Sequence, residues 1–265
     1  MRILLLLFLS FTMWSETSEQ YVVRSEFMFC NLNEGKNYQD VLAQQLSYEK
    51  FLVEKGLQYN RANLFPIWDN DAEFDYIQWG NWPDGEEQYR EWGAYLNEYP
   101  EWAANNDVPS AAGTCGNYIS MINHAVFHIR TPVEEREERN FTDWRYCKLK
   151  KTGDLRKLKE VFAKIEQAAI DFGSEEYGIH LFTPYRGFQD ADLDWDFIMM
   201  HHWYNAAERS KGVSLWPEWR DYLEEKGLIK ERNKHIDSCS GADTYQMDWV
   251  FSTACLLYTS DAADE

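Results

Sequence analysis

The chain is short of positive charge: 26 Lys and Arg stand against 45 Asp and Glu, a formal net charge of -19 over 265 residues. Binding phosphates requires a basic stripe that releases counterions, and no Lys/Arg cluster here stands clear of acids, so nucleic acid and anionic membranes are excluded as partners. Long apolar runs are absent beyond the first dozen residues, and no later segment approaches the roughly 20 residues of a membrane helix. There is no CxxC, no Cys/His spacing of zinc type, no P-loop, no dinucleotide fingerprint and no nucleophile elbow. No metal and no cofactor is therefore expected.

The two ends differ from the rest. Arg2 precedes an apolar run over residues 3–9, followed by polar Ser15, Glu16 and Thr17. That is the n-region and h-region of a signal peptide, so residues 1–18 are expected to be removed and the mature protein to be secreted or periplasmic. Residues 255–265 break the preceding strand pattern and resemble translated sequencing adapter. They are set aside as a non-native tail, which takes Cys255 out of the count.

What is abundant is aromatic: 16% of residues, 12 of them Trp. Rings at that density fill a thick core or line a pocket. The chain also resembles itself. Glu26-Phe-Met-Phe-Cys30-Asn-Leu32 matches Asp143-Trp-Arg-Tyr-Cys147-Lys-Leu149, and each run leads into a helix-like stretch. The first stretch runs from Tyr38 to Lys55 and stops at Gly56; the second follows Gly153-Asp154 and repeats Leu155, Leu158, Phe162 and Ile165 at helical steps. Leu64-Phe-Pro-Ile-Trp68 and Leu181-Phe-Thr-Pro-Tyr185 each carry a proline, which points to an edge strand. Phe74 to Trp82 repeats as Trp195 to Trp203, Pro100-Glu-Trp102 as Pro217-Glu-Trp219, and the spacing from Cys115 to Val126 equals that from Cys239 to Val250.

Strand, helix, strand, strand, helix, strand occurs twice, the split βαβ pattern of the ferredoxin-like fold. The fold class is α+β, with repeats over residues 19–132 and 140–254 joined by a polar connection at 133–139. Two such units in one chain resemble the dimeric α/β-barrel superfamily in tandem form. The resemblance implies two antiparallel sheets packed face to face as a pseudo-dimeric α/β barrel, with helices outside.

In that topology the first and last strands of a unit are antiparallel neighbours. Cys30 then falls beside Cys115 and Cys147 beside Cys239, and two bridges are expected, with free thiols as the alternative. Strand alternation gives the last strands an apolar side (Met121, Asn123, Ala125, Phe127; Tyr245, Met247, Trp249, Phe251) and a more polar one (His124, His128; Gln246, Asp248). We assign the apolar side to the helices and the polar side to the barrel interior. His124 and Asp248 occupy equivalent positions, so the pseudo-two-fold would bring them to one cavity as acid–base candidates with His128. Glu26, Asp143, Arg145, Trp79 and His202 would line the same pocket.

Weaker motifs are also present. His201-His202 must point to opposite sides of a strand. Residues 31–36 read as a turn or an anion cradle. Gly187-Phe-Gln-Asp190-Ala191 resembles the GxxDG signature of dye-decolourising peroxidases, with Ala191 in place of the final glycine. Asn140-Phe-Thr142 is a glycosylation sequon.

Two functions compete. One is an exported barrel that binds a small apolar or aromatic molecule, with cofactor-independent monooxygenase or EthD-like chemistry as the fold analogy. The other is a non-catalytic exported structural or interaction module. The first requires an enclosed interior cavity of at least ~300 Å³ reached by His124, His128 or Asp248.

Overall fold

A computed structural model describes residues 23–68, 72–128, 131, 135–174, 177–187 and 193–253. The expected signal peptide over residues 1–18, the adapter-like tail and most of the GxxDG-like stretch lie outside the described residues. The first half contains β1 (Val23–Leu32), α1 (Tyr38–Lys55), β2 (Asn60–Trp68), β3 (Tyr76–Trp82), α2 (Gly85–Asn97), the short α3 (Tyr99–Asn105) and β4 (Gly113–Phe127). The second contains β5 (Arg139–Leu149), α4 (Leu155–Phe172), β6 (Gly178–Arg186), β7 (Phe197–Trp203), α5 (Ala206–Glu225), α6 (Leu228–Arg232), β8 (Ile236–Cys239) and β9 (Asp243–Ser252).

Local chemistry sets the helix ends. Asn37 and Asp40 form a reciprocal capping box at the start of α1, and Gly56 closes it at φ 61°. A left-handed residue there costs glycine nothing. Asp154 caps α4 and Gly173 ends it at φ 75°. Asn31 and Leu32 end β1, and residues 33–36 form the turn into α1.

The strands run in the order β7-β6-β4-β1-β3-β2-β9-β5, and β5 pairs back onto β7. Each unit thus has the ferredoxin-like order, and the two sheets join along both margins into one closed antiparallel barrel of eight strands, with β8 attached to β5. The proline-bearing strands are therefore not free edges. Pro66 in β2 faces Tyr245 of β9, and Pro184 in β6 faces Met121 of β4, each beside a register shift. A proline lacks the ladder donor, and an irregularity is the other place a sheet tolerates it. The structure also aligns the two prolines with each other, one residue away from the Leu64/Leu181 match.

Cys30 pairs with Cys115 and Cys147 with Cys239 across neighbouring strands, and both pairs are disulfide-bonded. Val126 and Val250 are skipped by their partner strands at equivalent positions, a bulge that the two repeats share. The barrel is filled by Phe27, Ile77, Trp79, Met121, Trp144, Phe182, Met200, Tyr245 and Met247, all buried. Phe27 meets Trp144 and Phe182 edge to face, with ring centroids 4.7 and 5.2 Å apart. Burying each such ring contributes roughly 1.5–3 kcal/mol.

Helix α1 packs on β9 and α4 on β4, so the first helix of each repeat lies across a seam onto the other repeat. The side chain of Asn140 is fully buried, which keeps the sequon from solvent in the folded chain. Among the described residues no helix is long and apolar enough to cross a membrane.

Candidate functional site

The expected site residues divide between the two sides of the barrel wall. Trp79 and His202 point inward. His124, Asp248, Glu26, Asp143 and Arg145 point outward, beneath or beside helices. His124 Nε2 lies 3.3 Å from Thr183 Oγ1, and burial together with Lys159 on α4 lowers its pKa to about 4. Asp248 accepts from Arg139 Nε at 3.2 Å and Gln246 Nε2 at 2.8 Å. Strands β4 and β9 stand opposite each other in the ring, so the two residues share no cavity, and the face assignment is reversed. The physical reason is closure. A sealed ring holds no bulk water, so its interior takes the apolar side, and polar side chains go to the outer face, where helix margins leave room for partners.

His128 sits at the barrel rim, where its Nδ1 is 2.9 Å from Glu166 on α4. Glu26 is buried outside the first sheet, where it accepts from the hydroxyls of Tyr59 and Tyr118 and from Arg61 Nη2 at 3.2 Å. Beside this cluster Tyr48 donates to Glu91, and burial plus the Glu26 charge raises the Glu91 carboxyl to about 9.

The interior is polar at one end only. His180 Nδ1 is 2.8 Å from Asn123 Oδ1, and the His180 and His202 ring centroids are 4.9 Å apart. Trp79, Asn81 and Trp249 complete a cavity of about 50 Å³. That is room for one or two waters, far below the volume a substrate needs. His180 is held neutral by burial, with a pKa of about 3, and burial together with the neighbouring His180 lowers His202 in the same direction.

A larger space lies elsewhere. Between the outer face of the second sheet and α5–α6 is a cleft of about 730 Å³, floored by Asp143, Arg145, Met199, His201 and Trp203. Val213 and Trp216 of α5 overhang it and remain 62% and 49% exposed, so apolar surface is open to a ligand. Both carboxylate oxygens of Asp143 are engaged, by Thr244 Oγ1 at 2.7 Å and Arg209 Nη1 at 3.0 Å. Arg145 bonds only the carbonyl of Ser240, at 3.1 Å, and Arg232 only Asn233 Oδ1, at 3.2 Å through Nη2. Neither guanidinium has a carboxylate partner among the described residues. Burial and the adjacent Arg145 lower the pKa of Arg232.

The corresponding face of the first repeat is packed with rings. Its equivalent space holds Tyr48, Phe51, Tyr59, Trp82, Trp92, Tyr99 and Trp102. Position 80 there is glycine, and a Cβ on it would overlap the Tyr59 ring. Its counterpart in the second repeat is His201, with Tyr177 displaced to stack on it at 5.8 Å. Sequence reasoning named Asp143 and Arg145 but on the wrong side, and it missed Trp216 and Arg232. The available signal was the divergence of the two copies at positions 80 and 201.

This closed ring of two βαββαβ units with helices outside is the dimeric α/β barrel in tandem form. Among solved structures, the chain is similar to the putative monooxygenase from Lactobacillus acidophilus NCFM, with a TM-score of 0.50, 9% identity, and 88% of this chain and 97% of that one covered. It also aligns with chlorite dismutase from Candidatus Nitrospira defluvii in complex with imidazole (TM-score 0.44, 12% identity, 86% and 92% covered) and with an anthrone oxidase-like protein (0.43, 12%, 90% and 98%). At these identities the likeness is one of fold. No family model and no curated protein matches the chain.

Proposed function

We propose that this protein binds a small planar aromatic anion in the cleft between the second sheet and helices α5–α6. The observation that carries the reading is the pair Arg145 and Arg232. In a chain of net charge -19 these two cations face one cleft, and neither bonds a carboxylate among the described residues, although Asp143 and Asp237 border the same space. Two unneutralised guanidinium groups beside open Trp216 and Val213 match a ligand with an anionic group on an aromatic body.

The reading favours binding over acid–base catalysis. Burial depresses His201 to a pKa of about 4, so its imidazole is neutral and too weak a base to take a proton efficiently at neutral pH. His124, His128 and Asp248 do not reach the cleft. Monooxygenase-like chemistry in the barrel interior has no room, because that space is occupied by Trp, Phe and Met side chains.

The test uses two fluorescent probes of similar shape, anilinonaphthalene sulfonate and the uncharged N-phenylnaphthylamine. Saturable binding of both is expected, tighter for the sulfonate. Arg145→Gln with Arg232→Gln should weaken the sulfonate by roughly tenfold, about 1.4 kcal/mol, and leave the neutral probe unchanged. Trp216→Ala should weaken both. Equal loss of both probes in the arginine variant, or no saturable binding at all, would overturn the reading.

A further inference from the structure

The polar end of the barrel is a separate place from the cleft, and its lining is unbalanced. The cavity is bordered by Asn81, Asn123, His180, His202, Tyr204 and Arg136, with the rings of Trp79 and Trp249; among the described residues no carboxylate lines it, although Glu166 partners the bordering His128. His202 is 4% exposed and has no hydrogen-bond partner among the described residues; its Nδ1 is shielded and unpaired. Asn81 and Asn123 use their carbonyl oxygens on Ser25 and His180, which leaves the amide N–H groups as donors.

Arg136 is the telling residue. It sits in the run Glu134-Glu-Arg136-Glu-Glu138, with four glutamates beside it in sequence. Its guanidinium nevertheless joins no carboxylate among the described residues. It bonds the Thr131 carbonyl through Nε at 2.9 Å, lies 4.4 Å from the Tyr204 ring centroid, and borders the cavity. The segment is pinned there by Glu137 N to Tyr204 O at 2.8 Å and Trp249 N to Glu138 O at 3.0 Å. A cation with no carboxylate partner among the described residues, over a buried space rich in donors, is an arrangement that attracts negative charge.

We infer that the barrel mouth beneath Arg136 is a binding site for a small monovalent anion of up to about three heavy atoms, the size a cavity for one or two waters admits. The guanidinium supplies the charge, the Asn81 and Asn123 amides supply donors, and His202 turns whichever ring nitrogen bears hydrogen toward the ion.

The test is thermal unfolding of the full chain in sodium formate, nitrite or bromide at constant ionic strength. Sodium sulfate serves as the ionic-strength control and sodium benzoate as the size control. A saturable rise in Tm is expected for the three small anions and not for benzoate or sulfate, because a ligand of the native state alone stabilises it by mass action. Arg136→Gln should raise the midpoint concentration roughly tenfold, whereas Arg136→Lys should recover part of it. A bromide-soaked crystal should show an anomalous peak within hydrogen-bond distance of Asn123. Small anions that act no differently from sulfate, or an Arg136→Gln midpoint equal to wild type, would mean that the cavity holds water only.

Discussion

Tyr59 occupies the space that a side chain on Gly80 would need: a Cβ built there overlaps the Tyr59 hydroxyl and ring. The same ring bonds Glu26 and takes Arg61 Nε at 3.1 Å, so it cannot move without disturbing a buried charge cluster. Gly80→Ala is expected to destabilise the protein by about 1–3 kcal/mol, the usual cost of overpacking a filled site. Urea denaturation measures it, and a change within about 0.5 kcal/mol would show that the ring yields freely.

Glu91 should make stability fall as the solution becomes more alkaline. Its folded pKa of about 9 lies above the unfolded value near 4.3. Between those values the unfolded chain releases a proton that the folded chain retains. The favourable contribution is therefore complete at low pH and is lost as pH rises through about 9, by up to about 1.4 kcal/mol per pH unit. Glu91→Gln should flatten that slope. Denaturation curves at about pH 6 and about pH 8 decide it: parallel slopes in wild type and variant would count against a protonated Glu91.

The histidines act in the opposite direction. His124 and His201 have folded pKa values of about 4 and His180 of about 3, all below the unfolded value near 6.5. Above that value neither state is protonated and nothing is lost. As pH falls from about 6.5 toward about 4, the unfolded chain takes up protons that the fold refuses, and stability declines. His124→Gln keeps a polar group for Thr183 and should reduce the slope near pH 5 by up to about 1.4 kcal/mol per unit. The rise from these three histidines and the fall from Glu91 balance at roughly pH 7.

Each disulfide closes a long loop, the paired cysteines being 85 and 92 residues apart. Chain-entropy reasoning gives roughly 4–5 kcal/mol apiece. Replacing either pair by alanines should lower stability by that order, measured by denaturation under non-reducing conditions. A loss below about 1 kcal/mol for both would show that the unfolded chain is already constrained.

The fold was legible because its signals are local or repeated. Helix α4 follows from its spacing and the end of α1 from Gly56, and the disulfide register from Cys30 and Cys115 lying on neighbouring strands. The site was less legible for two physical reasons. Alternation sorts residues into two sides but does not say which side is sealed, and the bulges at Val126 and Val250 switch sides near the strand ends. His124 and Asp248 were therefore assigned inward, while Asn123 and Trp249, which line the cavity, were assigned to the helices. The cleft depends on a contrast between copies that no single motif carries: Tyr59 over Gly80 closes the first, and His201 holds the second open.

The seam between β2 and β9 has a consequence for biosynthesis. Residues 60–68 leave the ribosome about 180 residues before their partner does, a wait of roughly 10–40 s at common translation rates. Throughout that interval β2 offers bare main-chain groups to any neighbouring nascent chain. Pro66, which removes one donor from that margin, acts as a guard against premature partners until the last strand arrives.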